Sequence, residues 1–106
     1  MQTLIKVIPN LKALKCRYRC KIRHESLTLD WSNWLIQPTE SYVEVERQGP
    51  YALHQIEWID IDPIEKRQVG KLVATALIDH TEVVLKLLQD SAIHCITIDK
   101  LVRIIL

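Results

Sequence analysis

The 106-residue sequence predicts an α+β fold: an antiparallel sheet of about five strands with two amphipathic helices packed on one face. Three observations carry that expectation. Apolar and polar residues alternate strictly through parts of the first half, the period of a half-buried strand. After Asp62 the apolar spacing changes to i, i+3, i+4, the period of a helix. Residues 94–106 then return to a β-branched, apolar pattern. With 48% hydrophobic and 25% charged residues, two glycines and four prolines, the composition fits a single compact domain over residues 1–106. A chain of this length can bury a core without disulfides or a structural metal.

The elements follow in order. Residues 2–15 place Leu4, Ile5, Ile8, Leu11 and Leu14 at helical spacing, but Pro9 interrupts, so only one or two short helical turns are expected there. "KCRYRCKIR" alternates Cys16, Tyr18, Cys20 and Ile22 against Arg17, Arg19, Lys21 and Arg23, which predicts a half-buried strand. "SLTLDW" repeats the pattern with Leu27, Leu29 and Trp31 inward. "SYVEVERQ" sets Val43 and Val45 against Tyr42, Glu44 and Glu46, and Gly49-Pro50 reads as a turn. Residues 52–61 give the next strand, and the short connections predict an antiparallel meander.

Beyond Asp62, the stripe Val69, Leu72, Val73, Ala76 and Leu77 predicts a helix near 64–78, and Val83, Val84, Leu87 and Leu88 predict another. The phase continues through His80, which leaves one bent helix over 63–90 open, although a start signal at Asp79 favours two. A last strand is expected near 101–106, with a short partner at 94–98 around an Asp99-Lys100 turn.

"QIEWIDIDPIEKRQ" is the densest acidic stretch, with Glu57, Asp60, Asp62 and Glu65 beside Trp58. Asp62-Pro63-Ile64-Glu65 matches a helix start, with an acid at the cap, proline at the first helical position and glutamate three residues after the cap. Asp79-His80-Thr81-Glu82 repeats that spacing. Glu57 and Asp60 are an odd number apart on a strand and point to opposite faces unless a bulge intervenes, so they do not converge on a metal. Asp60 and Asp62 form only a weak D-x-D signal.

Other chemistries fall away on geometry. Cys16, Cys20 and His24 would stack as metal ligands on a helix, but on a strand neighbours at this spacing stand roughly 13 Å apart. Three cysteines with no C-x-x-C spacing suit reduced, buried thiols. His94-Cys95 diverge as strand neighbours, and His54 and His80 have no recognisable partners. With no glycine-rich loop and no G-x-S-x-G, no enzyme activity and no cofactor are expected.

Net charge is +1, unevenly spread. Residues 1–24 carry seven cations and no acid, whereas residues 25–65 carry nine acids against Arg47 alone. The basic face of Arg17, Arg19, Lys21 and Arg23 can track phosphates, so a small nucleic-acid-binding domain is the alternative reading. Against it, Tyr18 points away, no ring is placed to stack a base on that face, and Glu44 and Glu46 are candidate partners for the cations. Of the three tryptophans, Trp34 is expected to be the most exposed and fits an interface anchor. The start lacks a signal-peptide pattern and no run approaches the ~18 apolar residues of a membrane span, so a cytoplasmic protein without membrane association is expected.

The order of features resembles a group of small bacterial α/β proteins. They have an arginine-bearing strand, a W-x-x-W turn, an I-E-W-h-D-I strand (h hydrophobic), an amphipathic helix and a terminal h-R-I strand. Here these are Arg17-Tyr18-Arg19, Trp31-Ser32-Asn33-Trp34, Ile56-Glu57-Trp58-Ile59-Asp60-Ile61, residues 81–89 and Val102-Arg103-Ile104, within 17–106. The apolar stripe near 64–78 departs from that pattern, and no catalytic residue carries over. Proteins of this size and make-up are similar to immunity proteins encoded beside polymorphic or contact-dependent inhibition toxins. The resemblance implies a non-catalytic inhibitor that binds one cognate toxin domain 1:1, often a nuclease with a basic active-site surface. The acidic middle segment, with Glu40, Glu44, Glu46, Glu57 and Asp60, complements such a surface. The expected contacts are Trp34, Glu44, Glu46 and Asp60.

Overall fold

The computed structural model describes residues 2–24, 26, 28–39, 42–46, 50–68, 70–71 and 74–106. The chain opens with a helix, α1 (Gln2–Ala13), which runs through Pro9. Leu4, Val7, Ile8 and Leu11 form its i, i+3, i+4, i+7 stripe, and all four are buried. Burying each such side chain is worth roughly 1.5–3 kcal/mol. Together they outweigh the ~3 kcal/mol of an interior proline, so one full helix replaces the short turns expected from the sequence.

Strand β1 (Arg17–Ile22) has the predicted alternation, with Tyr18, Cys20 and Ile22 buried and Arg17, Arg19 and Lys21 partly exposed. The "SLTLDW" stretch is not a strand of its own. It lies along β1 through single bridges at Lys21↔Thr28 and Tyr18↔Ser32. Leu29 is buried as expected, and Leu27 lies outside the described residues. Next come β2 (Leu35–Thr39), which alternation did not predict, β3 (Tyr42–Val45) and β4 (Tyr51–Ala52). Pro38 within β2 weakens the strand signal, yet β2 is an edge strand, where a missing N–H is tolerated. The expected Gly49-Pro50 turn includes Gly49, which lies outside the described residues.

A 3-10 turn leads into β5 (Ile56–Asp62), followed by β6 (Ile64–Arg67), β7 (Ala76–Asp79), α2 (Thr81–Asp90), β8 (Cys95–Ile98) and β9 (Leu101–Ile105). The main sheet has the order β1-β5-β9-β8, a second sheet β2-β3-β4, and β6-β7 form a hairpin. All strand pairs are antiparallel. The α+β class with two helices and an antiparallel sheet therefore holds, but the meander does not: β1 pairs with β5, and β2-β3-β4 are set apart as their own sheet. The two helices contact each other, and α1 packs on β2 and α2 on β9.

The helix expected near 64–78 is replaced by the β6-β7 hairpin. Val69, Leu72 and Val73 of its stripe lie outside the described residues, while Ala76 and Leu77 stand on β7 and Leu77 is 67% exposed. Asp62 caps no helix. Its Oδ1 accepts a hydrogen bond from the Ile64 N–H at 3.1 Å, an Asx turn, while its other oxygen is held by Arg17. The second start signal marks a helix but not its cap: α2 begins at Thr81 with His80 at the N-cap and no side-chain cap hydrogen bond, while Asp79 Oδ1 accepts from the Thr81 N–H at 2.8 Å.

The C-terminal hairpin forms where the sequence placed it. Asp99 and Lys100 both take positive φ, 48° and 68°, as a two-residue turn of the primed type requires. The core is one cluster joining α1, α2, the inner face of the main sheet and Leu35, Val43 and Val45 of the second sheet.

Candidate functional site

The main sheet turns its other face away from this core, and the register decides what meets there. Arg17 lies opposite Asp62, Arg19 opposite Asp60 and Lys21 opposite Trp58, while Asp60 faces Arg103 on its far side. Arg17 reaches Asp62 at 2.5 Å and Arg19 reaches Asp60 at 3.1 Å. Arg103 holds both oxygens of Asp60, through Nε at 2.7 Å and a terminal nitrogen at 3.1 Å. The bidentate pairing raises the pKa of Arg103 further above its ordinary value. A bulge shifts the β1-β5 register between Lys21 and Ile22, which leaves Glu57 as the extra residue, and Lys21 pairs with it at 3.2 Å.

Two tryptophans interleave with these cations. The Arg17 and Arg19 guanidinium carbons lie 5.3 and 4.6 Å from the Trp31 ring centre, and those of Arg19 and Arg103 lie 5.9 and 3.8 Å from that of Trp58. The order Arg17-Trp31-Arg19-Trp58-Arg103 is thus a ladder of alternating cation and ring, each contact within the ~6 Å range of cation–π attraction. The arginine strand, W-x-x-W turn, I-E-W-h-D-I strand and h-R-I strand supply its members from four separate stretches. Arg23 stands apart, donating to the backbone carbonyls of His54, Ile56 and Leu106 and so tying the chain end to β5.

Three departures from expectation meet here. The cations of β1 pair with acids of β5, not with Glu44 and Glu46. Rings do stand on the basic face, because Trp31 folds over β1 instead of pointing inward with Leu29. Asp60, expected as a partner contact, is fully buried with its carboxylate taken up by two arginines. A partner can sense it only through Arg19 or Arg103.

Of the other three expected contacts, Glu44 lies on β3, while Trp34 directly precedes β2 and Glu46 directly follows β3. Glu44 alternates with buried Val43 and Val45 and shares an outward face with Tyr42, which is 49% exposed. The Asn33 N–H donates to Glu46 Oε2 at 2.8 Å, which brings the carboxylate beside the half-buried Trp34. Glu40 lies outside the described residues.

Sequence reasoning missed a third cluster. Glu65 is 4% exposed, chelated by Arg67 through two bonds of 3.1 Å and bonded to His80 Nε2 at 2.9 Å. Its carboxyl is held below the ordinary value chiefly by the His80 hydrogen bond, then by that of Arg67. His80 therefore has a partner after all, fifteen residues back in sequence. No apolar alternation marks β6, since Glu65, Lys66 and Arg67 are all charged, so the sequence carries no local signal for this cluster.

Cys16 and Cys20 line the core side of β1. Burial, reinforced by Asp62 and Glu65, pushes the Cys16 thiol up to about 11; burial and then Asp60 push Cys20 up to about 12. Neither supplies a thiolate at neutral pH. Among the described residues no three His, Cys, Asp or Glu side chains group as a metal site, and no helix is long and apolar enough to cross a membrane.

No curated protein and no solved structure matches the chain. Over residues 2–105 its sequence fits one family, described only as a family of unknown function (DUF6678), and the chain belongs to that family.

Proposed function

We propose that this chain is a cytoplasmic, non-catalytic inhibitor of toxin-immunity type that binds one cognate toxin domain 1:1 through the outward face of its second sheet. The observation that carries the reading is the contrast in how acids are held. Asp60, Asp62 and Glu65 are consumed by arginines, whereas Glu44 stands half-buried on β3 with exposed Tyr42, and Glu46, just beyond β3, accepts from the Asn33 N–H next to Trp34. Acids flanked by rings at a sheet surface suit a cationic partner such as a nuclease cleft. There charge speeds encounter and rings supply buried contact area. The committed acids of the main sheet are unsuited to proton transfer, which agrees with a non-catalytic role.

The test begins with co-expression of the chain and the product of the adjacent gene. A 1:1 complex is expected. Glu44→Gln with Glu46→Gln keeps an acceptor for the Asn33 amide while removing two charges. The double variant should bind at least tenfold more weakly at low salt, with a flatter salt dependence. Failure to form any complex overturns the reading, and unchanged affinity and salt slope overturn this placement of the interface.

A nucleic-acid-binding role for the basic strand keeps one supporting observation, the two rings on the face of Arg17 and Arg19. Three of that strand's cations are already neutralised by β5, so few counterions would be released on phosphate contact. Filter binding with single and double strands at two salt concentrations separates the two roles.

A further inference from the structure

A separate feature lies where α1, β1, the 31–34 turn and β6 meet. A cavity of about 240 Å³ is lined by Lys15, Arg17, Asn33, Ile64 and Lys66. That is the space of about eight water molecules. Three of its five lining residues are cations and none is an acid. The acids bonded to lining residues, Asp62 to Arg17 and Glu46 to the Asn33 amide, are not themselves part of the lining.

From this arrangement we infer that the cavity is an oxyanion site for a phosphate group. Lys15 and Lys66 are exposed and, among the described residues, their side chains form no ion pair or hydrogen bond, so their ammonium groups are available. Arg17 is oriented in advance. One terminal nitrogen holds Asp62, Trp31 stacks over the guanidinium, and the remaining N–H donors are unspent in a side chain 40% exposed. The Asn33 backbone N–H is given to Glu46, which leaves its side-chain amide as a neutral donor. Ile64 adds an apolar wall that strengthens charge interactions beside it.

The cations come from three separate elements and surround a small volume. That suits a compact tetrahedral oxyanion better than a planar carboxylate, since a phosphate group carries roughly −1.5 to −2 charge near neutral pH, against −1 for a carboxylate. Lys15 sits at φ 57° in the turn that follows α1, its backbone N–H bonded to the Lys12 carbonyl at 3.1 Å. The site does not depend on the reading of Glu44 and Glu46 as partner contacts.

The experiment titrates the full chain with inorganic phosphate at constant ionic strength, following binding by calorimetry and thermal stability by melting. Saturable binding and a higher melting temperature are expected, with acetate at least tenfold weaker. Affinity should fall between pH 7.5 and 5.5 as the dianion is protonated. Lys15→Gln with Lys66→Gln, both exposed positions that leave Arg17 in place, should weaken phosphate binding at least tenfold with the circular dichroism spectrum unchanged. A nucleoside monophosphate arm distinguishes the sources: tighter binding than inorganic phosphate assigns a phosphate ester, weaker binding assigns the free ion, and either keeps the site. A response matched by chloride, equal binding of acetate, or undiminished phosphate binding in the double variant overturns the assignment.

Discussion

The outer face of the main sheet and the outward face of the second sheet use the same residue types, acids beside tryptophans, in opposite states. On the first, Asp60 is fully buried between two arginines that are themselves stacked on Trp31 and Trp58. On the second, Glu44 and Glu46 are half-buried, Glu44 on the same face as exposed Tyr42 and Glu46 bonded to the Asn33 N–H. The difference comes from the neighbouring strand. β5 has an arginine strand on each side, whereas β3 lies between β2 and β4, which bring no cation to its acids. Carboxylates with arginines across the register become structure, whereas Glu44 has Ile36 across the register.

The largest effect that can break this comparison is Asp60→Ala. Removing the shared acid leaves Arg19 and Arg103 facing each other across β5, and losing one partner of a buried pair costs about 3–5 kcal/mol. The lower end is expected, because both arginines keep some access to water. Glu44→Gln and Glu46→Gln should each change stability by no more than about 0.5 kcal/mol. Urea denaturation of the three variants checks both values, and similar losses for all three would erase the distinction.

How far the molecule was legible depends on how local the deciding interactions are. β1, α2 and the β8-β9 hairpin are set by their own alternation, apolar stripe and turn residues. The 64–78 segment was misread because its start signal is ambiguous. Asp62-Pro63 begins a helix or an Asx turn equally well, and Arg17, forty-five residues earlier, decides by taking one carboxylate oxygen. β2 was hidden by Pro38, and α1 was shortened by Pro9, where a buried stripe overrode a local penalty. The Arg-Asp ladder had an unread signal. The R-x-R of residues 17–19 and the D-x-D of residues 60–62 share one spacing, so each arginine meets an acid in the antiparallel register observed. The burial of Asp60 has no local signal, because exposure cannot be read from a strand without knowing what lies opposite.

Glu65 tests an intermediate case, an acid buried with a histidine and an arginine in the small β6-β7 hairpin. Its carboxyl is held below the ordinary value of 4.5. The stability it contributes is therefore complete above that value and is lost as pH falls through the lower, folded value. In Glu65→Gln the titrating group is gone. The stability gap between wild type and variant, measured by urea at steps from pH 6 to pH 3, should be constant down to about 4.5 and close below it. A gap that stays constant throughout would show that the carboxylate is no better stabilised in the fold than in the unfolded chain.

The smallest effect concerns the rings. If the ladder is an energetic unit, Trp58 and Arg103 stabilise each other beyond the Asp60 bond, since the guanidinium carbon lies 3.8 Å from the ring centre. A cycle of Trp58→Leu, Arg103→Met and the double variant isolates that coupling, because the loss of the Asp60 bond enters both arginine backgrounds and cancels. A coupling of about 1 kcal/mol is expected for a partly desolvated cation–π contact. The matching cycle on the second sheet, Trp34→Leu with Glu46→Gln, joins a ring to an acid. There a coupling within about 0.3 kcal/mol of zero is expected, inside the range of independent sites. Equal couplings on the two faces would mean that the tryptophans of the main sheet only cover the ion pairs, and that the ladder is a consequence of packing, not a source of stability.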